Sequence, residues 1–541
     1  LKEEFQYNLV RTSDLLKTEA KTRNLPTDRL ALQELGDKLD KETDYRWLLD
    51  AVLRAAKTLN KEQPIVVDNV RTFPQVEHFR KQRIGTVIHA HLYASKDILE
   101  SRYKKKNAER PDEAANSYSA ADILKNEDDV QRLARDADVR INTARTDGRD
   151  TLVRVAARLG LYSPPNIRCV DVLIGGQYGS EGKGHIAAYL AGNYDVLIRV
   201  GGPNAGHTVS SASGLFIYHQ LPSGAKDTTA KLLLGPGMTI RVPSLLKEIE
   251  ACKVTPDRLF IDPQAMIIED SDLEGEKGIV EKIASTGQGS GAAAARRINN
   301  RGSETIRLAR DIIELKSYVG EGPLFRGSTT TQLEIAYRKG ESILLEGTQG
   351  SGLSVYHGSY PHVTSRDTNV AGCLAEAGIS PSRVRRILMV VRPQPIRVGN
   401  PEGDQGHISG RLKHEIDFQI VAREAGLNAE EVSGNEKTST TKRPRRVGWF
   451  EWDQFRHACA LNAPTDIVLT FADYLSKKNQ NARRFEQLDI DTIKFIEELE
   501  RVAQAPVSLI NTCFPRNPDE TIDLRTVIDR RNWITRRASS L

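Results

Sequence analysis

A two-domain α/β chain built on largely parallel sheets is predicted by three observations. Short apolar runs alternate with amphipathic segments along most of the 541 residues. Glycine-rich loops directly follow several of those runs, where open parallel sheets carry their ligand loops. The texture of the chain also changes at Ser163-Pro164-Pro165-Asn166, a stretch of turn formers. The expected architecture is a large, mostly parallel-sheet domain over residues 168–541, a linker over 163–167 and a smaller α/β domain over residues 1–162.

Composition narrows the class. Charged residues make up 28% and hydrophobic ones 39%, which excludes a disordered or collagen-like chain. Lys and Arg outnumber Asp and Glu by only 77 to 72, so no nucleic-acid partner is expected. No 18-residue apolar run exists, so no membrane span is expected. No charged n-region with an apolar h-region opens the chain, so nothing points to secretion. The 5 cysteines (Cys169, Cys252, Cys373, Cys459, Cys513) form no CxxC pair, which supports neither a zinc site nor a disulfide framework. A reducing, cytoplasmic setting follows. Residue 1 is Leu and the opening LKEEFQYNLV reads like the middle of a domain, so a preceding segment is expected.

The elements of the first domain are mainly helical, as in Arg46–Leu53. Pro64–Asp68 and Thr86–Leu92 read as buried strands, with Asp138–Asn142 a weaker third, and strands between helices suggest a parallel sheet. In the second domain Cys169–Gly176, Val196–Val200, Lys231–Leu234, Ile343–Leu345, Ile387–Val391 and Ile467–Thr470 read as strands buried on both faces.

Four loops carry chemistry. Gly175–His185 lies between a strand and a helical stretch, where glycines turn backbone N–H groups toward an anion and Lys183 adds a point charge. Its spacing is not Walker A, and a glycine-rich turn without a ligand is the bland alternative. Gly201–Val209 sets His207 among glycines, hydroxyls and amides. Glu346–Gly350 follows another strand and runs on to His357–Ser365. Ser439–Trp449 gathers hydroxyls and guanidiniums that suit forked recognition of carboxylate or phosphate, the alternative being a solvated basic turn.

Taken in order, these loops resemble the adenylosuccinate synthetase family over about residues 168–525. The family's GDEGKGK matches Gly179–His185, NAGHT matches Asn204–Thr208, EGxQG matches Glu346–Gly350 and TTGRxRRxGW matches Thr440–Trp449. Leu221–Gly224 and Ser285–Gly289 also match family motifs. The resemblance implies a ligase in which GTP or ATP phosphorylates O6 of a purine nucleoside monophosphate and the amine of L-aspartate displaces that phosphate at C6. It implies Mg²⁺ on the phosphates, with Ser180 and the Gly206 backbone as ligands. It implies that Lys183 holds phosphate, that His207 is a general acid and that Gln349 meets the 6-oxygen. Nucleotide contacts fall to Gly179, Glu181, Gly182 and Gly184, to Asn204, Thr286 and Thr364, and to Asp473. Thr440, Thr441 and Arg443 would close on the aspartate carboxylates, with Arg445 nearby. A homodimer is implied too, with one of Arg296, Arg297 and Arg301 reaching the partner.

The chain departs from the pattern at Ser180, where the family carries its catalytic Asp base. A hydroxyl is a poor base at neutral pH and a weaker metal ligand than a carboxylate. One reading is a catalytically inactive, purine-nucleotide-sensing protein. The favoured reading is a changed substrate, because the phage branch that uses dGMP also carries a small residue there, leaving room for a 2-amino group. A second departure, Phe471 where the family has Lys, leaves GTP and ATP both open, with Phe471 available to stack on a purine. A third is Lys442 in place of a loop Gly. Residues 1–162 resemble nucleoside-monophosphate and dephospho-CoA kinases through Arg11–Asp14, Leu32–Gly36, Val67–Arg71 and a lid-like Arg102 with Lys104–Lys106. No Walker A loop is present in the chain, so a scaffold role, or activity confined to this kinase-like part, stays open.

Overall fold

A computed structural model describes residues 1–60, 62–82, 85–109, 132–211, 214–320, 327–400, 407–438, 443–513 and 526–531. The chain divides into two compact units, Leu1–Ser163 and Pro164–Leu541.

The first unit holds two parallel strand pairs. Asn8–Arg11 pairs with Ile65–Asp68, and Ala90–Tyr93 with Val139–Asn142. The strand at Asn8–Arg11 carries only two apolar residues, which hid it from pattern reading. The strand read from Thr86 starts at Ala90, because the backbone of His89 is bound to Asp138 just ahead of the ladder. The helix Trp47–Ala56 turns Trp47, Leu48, Leu49, Ala51 and Val52 into the core beside Val10, Leu16, Leu35 and Phe79. Trp47 Nε1 and Gln75 Nε2 donate to the buried Asp40 carboxylate at 2.6 and 2.8 Å. Arg102, expected in a lid, bonds the hydroxyl and carbonyl of Thr143 at 2.8 and 2.7 Å.

The second unit is built on a nine-stranded sheet. Its strands in chain order are β1 (Val170–Gly175), β2 (Val196–Arg199), β3 (Lys231–Leu234), β4 (Leu259–Ile261), β5 (Ile343–Glu346), β6 (Val384–Val391), β7 (Asp466–Leu469), β8 (Val507–Asn511) and β9 (Val527–Asp529). They lie in the order β4-β3-β2-β5-β1-β6-β7-β8-β9. Every neighbouring pair is parallel except β8 and β9. Alternation decides the packing: Val170, Val172, Ile174, Ile343 and Leu345 enter one core, while Leu173, Leu197 and Leu344 enter the other. Both faces are thus buried, which is why these strands read as continuous apolar runs.

Parallel strands end on the same edge, so the loops after β1, β2, β5, β6 and β7 gather there. No disulfide joins any of the five cysteines, all of which lie among the described residues. Among the described residues, no helix is long and apolar enough to cross a membrane.

Candidate active site

The loop after β1 is tied from within by one carboxylate. Glu181, wholly buried, accepts from the backbone N–H groups of Gln177 (3.1 Å) and Gly179 (2.8 Å) through one oxygen and from Lys183 Nζ (2.6 Å) through the other. Gly179 and Gly182 take φ of 89° and 83°, the left-handed region glycine enters freely, and Ser180 between them takes 56° with its side chain exposed. The helix Lys183–Ala191 starts at Gly182, so its first N–H groups face the loop. Gln177 bonds the Arg392 backbone at the end of β6, and Thr470 after β7 donates to the Glu181 carbonyl at 2.6 Å.

His207 opens a hairpin (His207–Ser211 with Gly214–Tyr218) and meets the last residue of β5. Its Nδ1 lies 2.5 Å from Glu346 Oε1. Glu346 also accepts from Ser223 N (2.7 Å) and Oγ (2.5 Å) and from Arg199 Nη1 (3.4 Å). Burial alone would raise Glu346, but the guanidinium of Arg199 and the donors His207 and Ser223 outweigh it and hold the acid at about 2. Burial, then the Arg199 charge, pushes His207 down to about 4 despite Glu346. The stable pairing is therefore an ionised Glu346 and a neutral His207 that donates from Nδ1, which leaves the lone pair on Nε2. A β-carbon built on Gly184 would fall 2.5 Å from His207 Cβ. Gly184→Ala is expected to push His207 aside, lowering kcat about tenfold or more and the melting temperature as well, because the new methyl meets His207 at its Cβ and backbone; steady-state kinetics beside a thermal melt checks this.

Gln349, with φ 60°, donates from Nε2 to Thr364 Oγ1 at 3.4 Å and is braced by Thr348 and Arg366. Arg366 in turn is fixed by Glu376 at 2.6 Å. Asn204 Oδ1 is buried with no hydrogen-bond partner among the described residues. Gly206 precedes His207 and is half-buried. Thr286 sits half-buried between the helices Lys277–Ile283 and Ser290–Asn299, its carbonyl accepting from Gln288 at 3.2 Å. The Ser290 helix comes to the same place: a β-carbon on Gly291 would lie 3.1 Å from Ser365 Cβ. Arg296 is spent within the chain on Asp272 and Arg297 on carbonyl oxygens, while Arg301 is exposed.

Ser180 meets the fourth loop. Arg445 donates to Ser180 Oγ at 3.3 Å and to Glu436 at 2.8 Å, and Arg392 donates to the same carboxylate at 2.7 Å and to the Ser180 carbonyl at 3.5 Å. Thr438 and Arg443 exchange two hydrogen bonds across the neck of this loop, and Arg443 Nη1 is buried without a hydrogen-bond partner among the described residues. Thr440 and Thr441, expected at the aspartate carboxylates, lie outside the described residues, as does Lys442. Phe471, expected to be available to a purine, is buried under the Arg392 guanidinium at 4.1 Å and packs against Tyr474. Asp473 is wholly buried.

Glu436 is held at about 2: burial would raise it, and Arg392 and Arg445 more than reverse that. Carboxylates depressed in the fold contribute stability that is present above their unfolded values, near 4.5, and lost as pH falls through 2. His207, neutral in the fold, costs stability once pH drops below its unfolded value of 6.5, the loss levelling off below 4. All three act in one direction, so chemical unfolding midpoints are expected to fall steadily from neutral pH toward pH 2.

Magnesium fits the protein groups poorly. The hydroxyl of Ser180 faces a guanidinium, both oxygens of Glu181 are filled, and among the described residues no three His, Cys, Asp or Glu side chains gather as a metal site. Beyond the backbone of Gly206, oxygen ligands for the ion would have to arrive with the nucleotide phosphates.

Lys183, His207 and Gln349 lie on neighbouring loops. A β-carbon on Gly175 would fall 2.8 Å from Lys183 Nζ and 2.5 Å from the Gln349 carbonyl oxygen, and Gly184 beside Lys183 touches His207. Sequence reading missed Arg199, Arg392 and Glu436. The signal available for the two arginines was a charge closing an otherwise apolar strand.

Known proteins resemble this chain in sequence and fold. The family profile described as adenylosuccinate synthetase matches residues 172–321 and 311–480. The adenylosuccinate synthetase of Archaeoglobus fulgidus is 35% identical over 362 residues, covering 65% of this chain and 98% of that protein. Among solved structures, the succinoaminodeoxyadenylate synthetase of cyanophage S-2L, bound to dGMP and to dATP as an energy donor, aligns at TM-score 0.53 and 26% identity over 67% of this chain and 96% of that one. The fully ligated adenylosuccinate synthetase of Plasmodium falciparum shares the fold at TM-score 0.55 and 22% identity, over 67% of this chain and all of that one.

Proposed function

Since the chain belongs to the adenylosuccinate synthetase family and is a ligase of that type, we propose that it joins L-aspartate to C6 of a guanine monophosphate, with dGMP as the preferred substrate. The observation that carries this reading is Ser180: a small, exposed, uncharged side chain at the tip of the loop after β1, where the family places its Asp base. The cyanophage relative, which shares this fold, is bound to dGMP.

In this reading a purine nucleoside triphosphate phosphorylates O6 and the amine of aspartate then displaces the phosphate. Lys183 and the first N–H groups of its helix take the transferring phosphate, the ammonium moving off Glu181 as the anion arrives. His207, aimed by Glu346, accepts a proton at Nε2 beside that dianion and protonates the departing phosphate. Gln349 amide groups meet the 6-oxygen, and Asn204 Oδ1 and Thr364 serve the monophosphate nucleotide. The unpartnered Arg443 Nη1 suits a carboxylate of aspartate. Magnesium neutralises phosphate charge when bound, as is general in the family. A wholly buried Asp473 is closed to an incoming base, which favours an adenine over a guanine triphosphate. A homodimer is part of the same reading, with exposed Arg301 the arginine free to reach a partner. The first unit stays a nucleotide-kinase-like module, supported by its parallel strand pairs.

Incubation with Mg²⁺, aspartate, each of ATP, dATP and GTP, and each of dGMP, GMP and IMP tests the reading. A succinyl-purine product is expected, most from dGMP. No such product across the panel, or a clear preference for IMP, would overturn it.

A further inference from the structure

The proposed reaction leaves the first chemical step without a base, because Ser180 is neutral. Beneath it the structure holds two guanidiniums and one carboxylate. Glu436, 2% exposed, is shared by Arg392 Nη2 (2.7 Å) and Arg445 Nη1 (2.8 Å). The other terminal nitrogen of each arginine, Arg392 Nη1 and Arg445 Nη2, ends on Ser180, at its carbonyl (3.5 Å) and its hydroxyl (3.3 Å), while both Nε atoms are buried without a hydrogen-bond partner among the described residues. Other charges around this corner are matched. Lys183 is paired with Glu181, Arg199 with Glu346, which also accepts from neutral His207, and Arg397 lies over the Tyr178 ring at 3.9 Å while Tyr178 donates to Glu451. The turn after β7 contributes Asp473 and Tyr474, the latter hydrogen-bonded to Glu436 and beside Arg392, and the neck of the fourth loop contributes Arg443.

We propose that Arg392 and Arg445, held under Ser180 by Glu436, do the work of the absent base by stabilising the purine as its 6-oxyanion. This rests on the reading that the guanine edge faces Ser180. The step balances without a protein base. N1–H gives its proton to solvent water and its electron pair delocalises onto O6. O6 then attacks the γ-phosphorus, and the bond to the bridging oxygen breaks to release the nucleoside diphosphate. In this account Glu436 is a positioning residue: it neutralises one guanidinium and aims the other. An Asp at position 180 would cancel the charge that the anion needs, so the serine and the shared carboxylate form one device.

The test uses the full chain saturated with dGMP, without triphosphate or aspartate, titrated toward alkaline pH and followed by the ultraviolet change that accompanies guanine N1 ionisation. Bound dGMP is expected to ionise about 1–3 pH units below free dGMP. Ser180→Asp, at an exposed position, should move that midpoint back up to or above the free value. Glu436→Gln should move it lower still, and the alkaline limb of kcat/KM should follow in both variants. A midpoint equal to that of free dGMP, or one that Ser180→Asp leaves unchanged, overturns the inference while the ligase reading stands. Failure of dGMP to bind at all overturns both.

Discussion

His207→Ala is expected to lower kcat for succinyl-purine formation by about 10²–10⁴-fold, with the KM for triphosphate within a few-fold of wild type. The imidazole is buried and held through Nδ1, so its Nε2 is the only position from which it can exchange a proton with the transferring phosphate. Removing it deletes that exchange without touching Lys183 or the loop that Glu181 organises. Glu346→Gln makes a sharper companion. The amide still accepts from Ser223, but it loses the charge that opposes Arg199, which has no exposed surface. It should cost about 3–5 kcal/mol of stability as well as activity. Single-turnover phosphate transfer and denaturant unfolding separate the two effects. Undiminished turnover in His207→Ala would remove the acid–base role altogether.

Ser180→Asp is expected to reverse the substrate preference, raising the IMP-to-dGMP ratio of kcat/KM by about 10²-fold. A carboxylate at this tip accepts from purine N1–H and fills the space a 2-amino group needs. The variant should fold, because the new charge would lie within reach of Arg445 and Arg392, two guanidiniums that share one carboxylate. Competition of IMP and dGMP in one vessel, read by product masses, measures the ratio directly. An unchanged ratio would show that Ser180 does not choose the base.

Much of the second unit was legible because its strands are buried on both faces, and a run such as Val170–Gly175 admits few other readings. The loops were legible for a related reason: glycines at 179 and 182 and a Lys at 183 have no packing purpose at a strand end. What stayed hidden is the wiring between loops. Arg199 and Glu346 lie 147 positions apart, and Arg392 and Glu436 lie 44 apart. Such pairings depend on which strands become neighbours, and local pattern carries no record of that order. The first unit was harder because strands such as Asn8–Arg11 and Ile65–Asp68 are half-exposed, so alternation gave little contrast.

The order of the sheet has a consequence for the chain as it leaves the ribosome. Both neighbours of β1 are synthesised after it: β5 ends at Glu346 and β6 at Val391. At roughly 5–20 residues per second, the strand that carries the catalytic loop waits about ten to forty seconds for its second flank. Until β5 emerges, the nascent polypeptide holds an apolar ribbon with two open edges, and one edge stays open until β6 follows. Chaperone capture during translation, or slower elongation across this stretch, should therefore govern the yield of native enzyme more than thermodynamic stability does.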